Sequence, residues 1–476
     1  MKNCKNSFLI CLFINLLLAC AGKSTPNENI VNTSKLSDTS TVSISKDTFA
    51  QAKIINVVCK TNASYSYALY IPAHTNETLP VIYFFDPHAD GELPLTKYKS
   101  LADKYGFIFI GSNNSKNGTD WQTTENIWQA ISNDTQQRLA INTNRIYTCG
   151  FSGGAKVASY IAINHNQVKG VIANGAGLPD NTQPFNYNFS FTAITGEGDM
   201  NMTDLEAINN AFDKTLTKHS IIYFGGKHEW APESTMNTAL QGLQLNAMRT
   251  AIIPKNDSLI SVFVAQNKKS IEDAIAKNQL INASRLCKTA ISFLQDISPR
   301  IEWFKTQQTN LQNNVSYQKQ LQVQQELFVT EQNMKQHFSQ QFEQANANYW
   351  FATIEDLQSK ANFRSDEGAM YQRLLAYLSL AFYSITNQLL NNNQNIDAQY
   401  FDELYKMADA ANTEAWYFSA IIKARNNDAK GTENDLQKAV SLGFNDISRM
   451  ESQHEFVKLS NQINFTAIES NIKSNK

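Results

Sequence analysis

Between Thr48 and about Met248, short apolar runs alternate with segments whose apolar residues recur at helical spacing. Val81-Ile82-Tyr83-Phe84-Phe85 and Phe107-Ile108-Phe109-Ile110 are unbroken apolar runs, the pattern of strands buried on both faces of a parallel sheet. Lys53–Cys59 and Ser64–Ile71, separated by a polar turn, read as a β-hairpin. Leu95 to Tyr105 reads as a helix stopped by Gly106, and Thr124 to Leu139 as a helix with Ile127, Trp128, Ile131 and Leu139 facing inward. Further strands are expected at Arg145–Cys149, Gly170–Ala173, Phe189–Thr195 and Ser220–Phe224. Such alternation predicts a doubly wound, mostly parallel α/β sheet, which places its working residues beyond the carboxyl ends of the strands.

Beyond about Thr250 strand patterns become scarce. Helices are expected over Ser270–Ile281, Ala283–Gln295, Asn314–Gln344, Tyr349–Ala361, Glu367–Leu390, Asp397–Ala411, Glu414–Arg425 and Thr432–Ser441. Tyr317, Leu321, Leu327, Phe328, Met334, Phe338 and Phe342 form one stripe of the Gln-rich segment, read as a core face. Ala420, Leu436 and Ala439, with Trp416 ahead of them and Leu442-Gly443-Phe444-Asn445-Asp446 behind, resemble a tetratricopeptide repeat over roughly one repeat. The domain reading is therefore a signal segment 1–20, a tether 21–47, an α/β domain 48–250 and an all-α, repeat-like domain 251–476.

Composition narrows the functions available. The chain has 476 residues, a formal net charge of −2 and 18% charged residues, so no basic field points to nucleic acid. Lys2 and Lys5 precede the apolar stretch Phe8–Ala19, which is too short to span a bilayer. Leu17-Leu18-Ala19-Cys20 resembles a bacterial lipobox, implying a lipid on Cys20, a membrane anchor and residence in the cell envelope, with the outer membrane expected. An ordinary secretory peptide cleaved after Ala19 or Ala21 is the simpler alternative. Ser24 to about Asp47 is rich in Ser, Thr and Asn and reads as a flexible tether. Cys59, Cys149 and Cys287 lie far apart without metal-ligand spacing, so neither a disulfide framework nor a metal or other cofactor is expected.

The chemistry sits at Gly150-Phe151-Ser152-Gly153-Gly154, directly after a strand and before the small-residue segment Ala155–Ala162. A serine that must attack a carbonyl has to stand clear of the backbone on a sharp strand-to-helix turn, and glycines tolerate the crowding beside it. It needs a base, and the base an orienting acid. Among His74, His88, His165, His219, His228, His337 and His454, position decides. His219 precedes the last strand and belongs at its amino end; His228 follows it through Gly225-Gly226-Lys227 and reaches the carboxyl rim. Asp199, in Gly196-Glu197-Gly198-Asp199 after the preceding strand, is the expected acid, ahead of Glu197 and Asp204. The oxyanion requires two N–H donors: Gly153 is one, and His88, in the loop after Val81–Phe85, is expected as the other, with Ala89 second because Pro87 has no N–H.

Residues Pro80 to Glu233 resemble the α/β-hydrolase fold, in the branch containing dienelactone hydrolases, feruloyl-esterase-like enzymes and polyhydroxyalkanoate depolymerases. The likeness is carried by Asn142–Tyr147 before Gly150–Gly154 and by Gly225-Gly226-Lys227-His228-Glu229-Trp230. Asp86-Pro87-His88 departs from the His-Gly of many relatives, and no segment between Gly170 and Asp199 is long enough for a substantial lid. The expectation is a lipid-anchored serine hydrolase acting on a small or polysaccharide-linked carboxylic ester. The alternatives are an envelope scaffold whose helical half binds a protein partner, with a vestigial hydrolase half, or a peptidase of the same fold. Trp230 either walls the substrate pocket or caps the core.

Overall fold

A computed structural model describes residues 47–73, 78–362 and 364–474. The signal segment, Cys20 and all but the last residue of the tether lie outside the described residues.

Among the described residues, eight strands form one sheet in the order β1-β2-β4-β3-β5-β6-β7-β8. β1 (Ile55–Val58) and β2 (Ser66–Tyr70) are the expected hairpin, and β2 also runs antiparallel to β4. β3 (Leu79–Phe85), β4 (Ile108–Ser112), β5 (Ile141–Phe151), β6 (Val168–Asn174), β7 (Ser190–Gly196) and β8 (His219–Phe224) are parallel throughout. This is the α/β-hydrolase order. The continuous apolar runs explain it: Ile82 and Phe84 enter one core while Val81, Tyr83 and Phe85 enter the opposite one. Helices α1 (Glu92–Tyr105), α2 (Trp121–Arg138), α3 (Gly153–Asn164), α4 (Met202–Phe212) and α5 (Glu233–Arg249) connect and cover the strands. Gly106 ends α1 at φ 65°, the left-handed stop read from the sequence.

Contacts divide the chain into two compact units, and the division falls at Gln324 rather than at the expected 250/251. The first unit also takes in α6 (Asp257–Ala276), α7 (Leu280–Leu294) and α8 (Ile301–Gln312). Phe263, Cys287, Phe293 and Phe304 share a core with Tyr147 and Met236. The reason is at the sheet edge. The Thr289 hydroxyl of α7 donates to the Ile221 carbonyl of β8, and Ser292 to that of His219. Hydroxyls thus cap an edge that would otherwise invite a foreign strand. The helix expected over Ser270–Ile281 is in fact the end of α6, a turn with Asn278 at φ 57°, and the start of α7.

The second unit comprises Gln325–Lys476 together with Glu197–Met200. Its helices are the remainder of α9 (Val315–Gln341), α10 (Ala347–Lys360), α11 (Asp366–Asn391), α12 (Asn395–Ala408), α13 (Thr413–Arg425), α14 (Ala429–Ser441), α15 (Ile447–Ser452), α16 (His454–Lys458) and α17 (Phe465–Ser474). Phe338, Phe342, Trp350, Phe382, Tyr405 and Tyr417 form its core, with Leu327 and Met334 of the Gln-rich stripe packed against it. Tyr317 and Leu321 join the core of the first unit, and Phe328 is exposed. Fully buried Glu331 pairs with Arg373 and Lys335, each at 2.7 Å. Arg373 also donates to the Glu197 carbonyl at 2.7 Å and Lys335 to that of Met200 at 3.4 Å, which ties this short segment to the helical unit.

Candidate active site

β5 delivers Ser152 to the carboxyl edge of the sheet. The serine takes φ 54° and ψ −123°, a conformation L-residues avoid. The flanking glycines permit it: a Cβ on Gly150 would strike the Gly154 carbonyl, and one on Gly154 the Phe85 carbonyl. The Ser152 N–H donates to the Asn174 carbonyl at 2.9 Å, locking the turn to the end of β6. α3 begins at Gly153, so the N–H of Gly153 has no intrahelical acceptor and lies at the positive end of the helix dipole.

His228 follows β8 and places Nε2 2.9 Å from Ser152 Oγ. With Nε2 unprotonated, the hydroxyl donates to it, the arrangement a general base needs. Its ring lies against Phe151, with centroids 4.7 Å apart. The preceding loop runs close to β7, because a Cβ on Gly196 would collide with the carbonyls of Gly226 and Lys227. His219 stands at the other end of β8, bonded to the Thr217 carbonyl and to Asp213, as its place in the chain requires. Asp199 lies three residues beyond β7 and is 1% exposed. Residues 175–189, between β6 and β7, form neither helix nor strand.

The expected second oxyanion donor is corrected. The His88 N–H donates to Asp86 Oδ1 at 2.8 Å, and the Ala89 N–H to the Asp86 carbonyl at 3.1 Å. Asp-Pro-His closes as an Asx turn around its own carboxylate, so both N–H groups are turned into the loop. The His88 side chain is 69% exposed. Asp86 is buried, which raises its carboxyl above the usual range, while N–H bonds from Trp230 and His88 offset part of that shift. Trp230 Nε1 donates to Asp86 Oδ2 at 2.8 Å, and its ring is buried against Phe84, Tyr98 and Phe151. Trp230 therefore caps the core.

Asn174 was not singled out in the sequence. Its Nδ2 donates to the Glu229 carbonyl at 2.8 Å and its Oδ1 accepts from the Ala231 N–H at 3.3 Å. One residue thus fixes the nucleophile turn through its backbone and the base loop through its side chain. Cys149, one residue before Gly150, is wholly buried, and burial pushes its thiol well up, leaving a packing residue. Among the described residues, no group of three or more His, Cys, Asp or Glu is gathered as a metal would require.

No family model and no curated protein matches the chain. Among solved structures it is similar to a hyperthermophilic esterase from the archaeon Pyrobaculum calidifontis, at 11% identity over 42% of this chain and 85% of that one, with a TM-score of 0.33. It is similar to the S-formylglutathione hydrolase of Staphylococcus aureus, at 10% identity over 40% and 95% of the two chains, with a TM-score of 0.34. A thermostable carboxylesterase cloned from a metagenomic library gives 12% identity, 43% and 89% coverage, and a TM-score of 0.34. Likenesses this distant carry no chemistry over to the present chain.

Proposed function

We propose that the protein is a serine hydrolase acting on carboxylic esters. The observation that carries the reading is the 2.9 Å approach of His228 Nε2 to the hydroxyl of a serine held at φ 54°. In this mechanism Ser152 Oγ attacks the ester carbonyl as His228 takes its proton. The tetrahedral oxyanion is held at the Gly153 N–H, and His228 then gives the proton to the departing alcohol. Water repeats the cycle on the acyl-enzyme. Asp199 is assigned the orienting role by its burial and its place after β7.

The lipobox-like Leu17–Cys20 supports a lipid anchor at Cys20 and an envelope location, where an open site suits a small or polysaccharide-linked ester. The tetratricopeptide-like pattern around Trp416 and Leu442–Asp446 supports a partner-binding role for the helical unit. The test is a panel of p-nitrophenyl esters and peptide substrates offered to the chain lacking residues 1–23. Ester turnover that disappears in Ser152→Ala is expected. Peptide turnover without ester turnover would assign a peptidase, and ester turnover surviving in Ser152→Ala would remove the assignment.

A further inference from the structure

We infer that the side-chain amide of Asn117 is the second oxyanion donor, in the place the loop after β3 leaves empty; this rests on the Ser152–His228 reading above. An acyl-transfer site with a single donor is incomplete, and the two N–H groups expected to serve, those of His88 and Ala89, are both bonded within their own loop. The loop after β4 offers the replacement. A Cβ built on Gly153 would collide with Asn117 Oδ1, so the carboxamide lies directly against the residue whose N–H is the first donor. The carboxamide nitrogen is 3.7 Å from that Cβ position. A Cβ stands about 2.5 Å from its own amide nitrogen, so the two donor nitrogens are at most about 6 Å apart. Two donors bonding one oxygen at about 2.9 Å each span up to about 6 Å.

The backbone of the loop that carries this amide is held in place. The Asn117 N–H donates to the Pro87 carbonyl at 2.8 Å, His88 and Lys116 pair as an isolated antiparallel bridge, and the Thr119 N–H returns to the Lys116 carbonyl at 3.2 Å. The N–H of buried Ser115 bonds Ser112 Oγ at 3.1 Å. The Asn117 side chain itself is exposed; Oδ1 is the end nearer Gly153, and a half-turn about the last torsion exchanges it with the donor Nδ2. The glycine at 153 also gains a reason: any side chain there would displace the amide.

Asn117→Ala and Asn117→Asp test the assignment with p-nitrophenyl acetate. An oxyanion donor acts on the transition state, so kcat falls about 10²–10³-fold in Asn117→Ala while KM stays within about threefold. Asn117→Asp, with the same shape but a negative charge facing the oxyanion, falls at least as far. Both variants keep the wild-type urea midpoint, as an exposed side chain should, and label with fluorophosphonate more slowly without losing labelling. Wild-type kcat in both, or an effect confined to KM, overturns the inference. Ser152→Ala separates it from the reading beneath it. Lost labelling there alongside unaffected Asn117 variants removes only the Asn117 role, whereas labelling retained in Ser152→Ala removes both.

Discussion

Replacing Asn174 with alanine should loosen the base loop without touching either reacting side chain. Asn174 is 1% exposed, and its amide satisfies the Glu229 carbonyl at 2.8 Å and the Ala231 N–H at 3.3 Å. Stripping a buried group of its partner costs about 1–3 kcal/mol. Ala231 is fully buried whereas Glu229 is exposed, so the loss is mainly that of the Ala231 N–H, about 1–3 kcal/mol. The catalytic consequence follows from geometry. Glu229 adjoins His228, and freeing its carbonyl lets the imidazole drift from the 2.9 Å contact with Ser152. A displacement on the order of 1 Å costs about 10²-fold in rate. The assay pairs urea unfolding with the rate of fluorophosphonate labelling. Asn174→Asp serves as a second case: it keeps the acceptor for Ala231 but sets a carboxylate oxygen against the Glu229 carbonyl, and so should loosen the loop at least as much. A labelling rate within about twofold of wild type in Asn174→Ala, with the expected drop in stability, would refute the idea that this amide holds the base in place.

Other consequences follow from the same structure. In the helical unit, Arg373→Met leaves fully buried Glu331 with Lys335 alone and should destabilise the chain by about 3 kcal/mol in urea, with Glu331→Gln in the same chain restoring part of it; an unchanged midpoint would count against the buried cluster. Burial raises the carboxyl of Asp402 to about 7 even with Lys406 at 3.1 Å. The folded state therefore keeps that proton up to about pH 7 and the unfolded chain only to about pH 4, so stability falls as pH rises through this window. Asp402→Asn should flatten the difference between urea midpoints at pH 5 and pH 8, and equal slopes in both proteins would argue against it. His219→Ala should label with fluorophosphonate as wild type does, since that ring lies at the amino end of β8; slowed labelling would mean the wrong histidine has been given the role of base.

Some of this architecture is readable from the residues and some is not, for reasons that differ by element. The sheet is legible because β3 and β4 are unbroken apolar runs that only burial on both faces can satisfy. His228 is distinguishable from His219 because the two lie at opposite ends of one six-residue strand. Helices α4, α5 and α8 were not expected: α5 buries Gln241 and Gln244 on its inner side and α8 buries Gln308, so their apolar stripes are broken. The boundary at Gln324 is equally hidden, because an apolar stripe on α6 or α7 declares that it is buried and not which core it joins. The misplaced oxyanion donor has an available signal, since an aspartate before proline readily closes an Asx turn on the second residue after it. Asn174 and Asn117 had none. In a chain this rich in asparagine, only coordinates distinguish the two that meet the nucleophile turn from the many that face water.

The most direct measurement is to locate, by mass spectrometry, the covalent adduct left by a fluorophosphonate on the chain lacking residues 1–23. Modification of Ser152 in the wild type, and none in His228→Ala under the same exposure, is the predicted outcome. An adduct on any other residue, or one that forms on Ser152 at the wild-type rate when the imidazole is gone, would contradict the pairing on which the proposed chemistry depends.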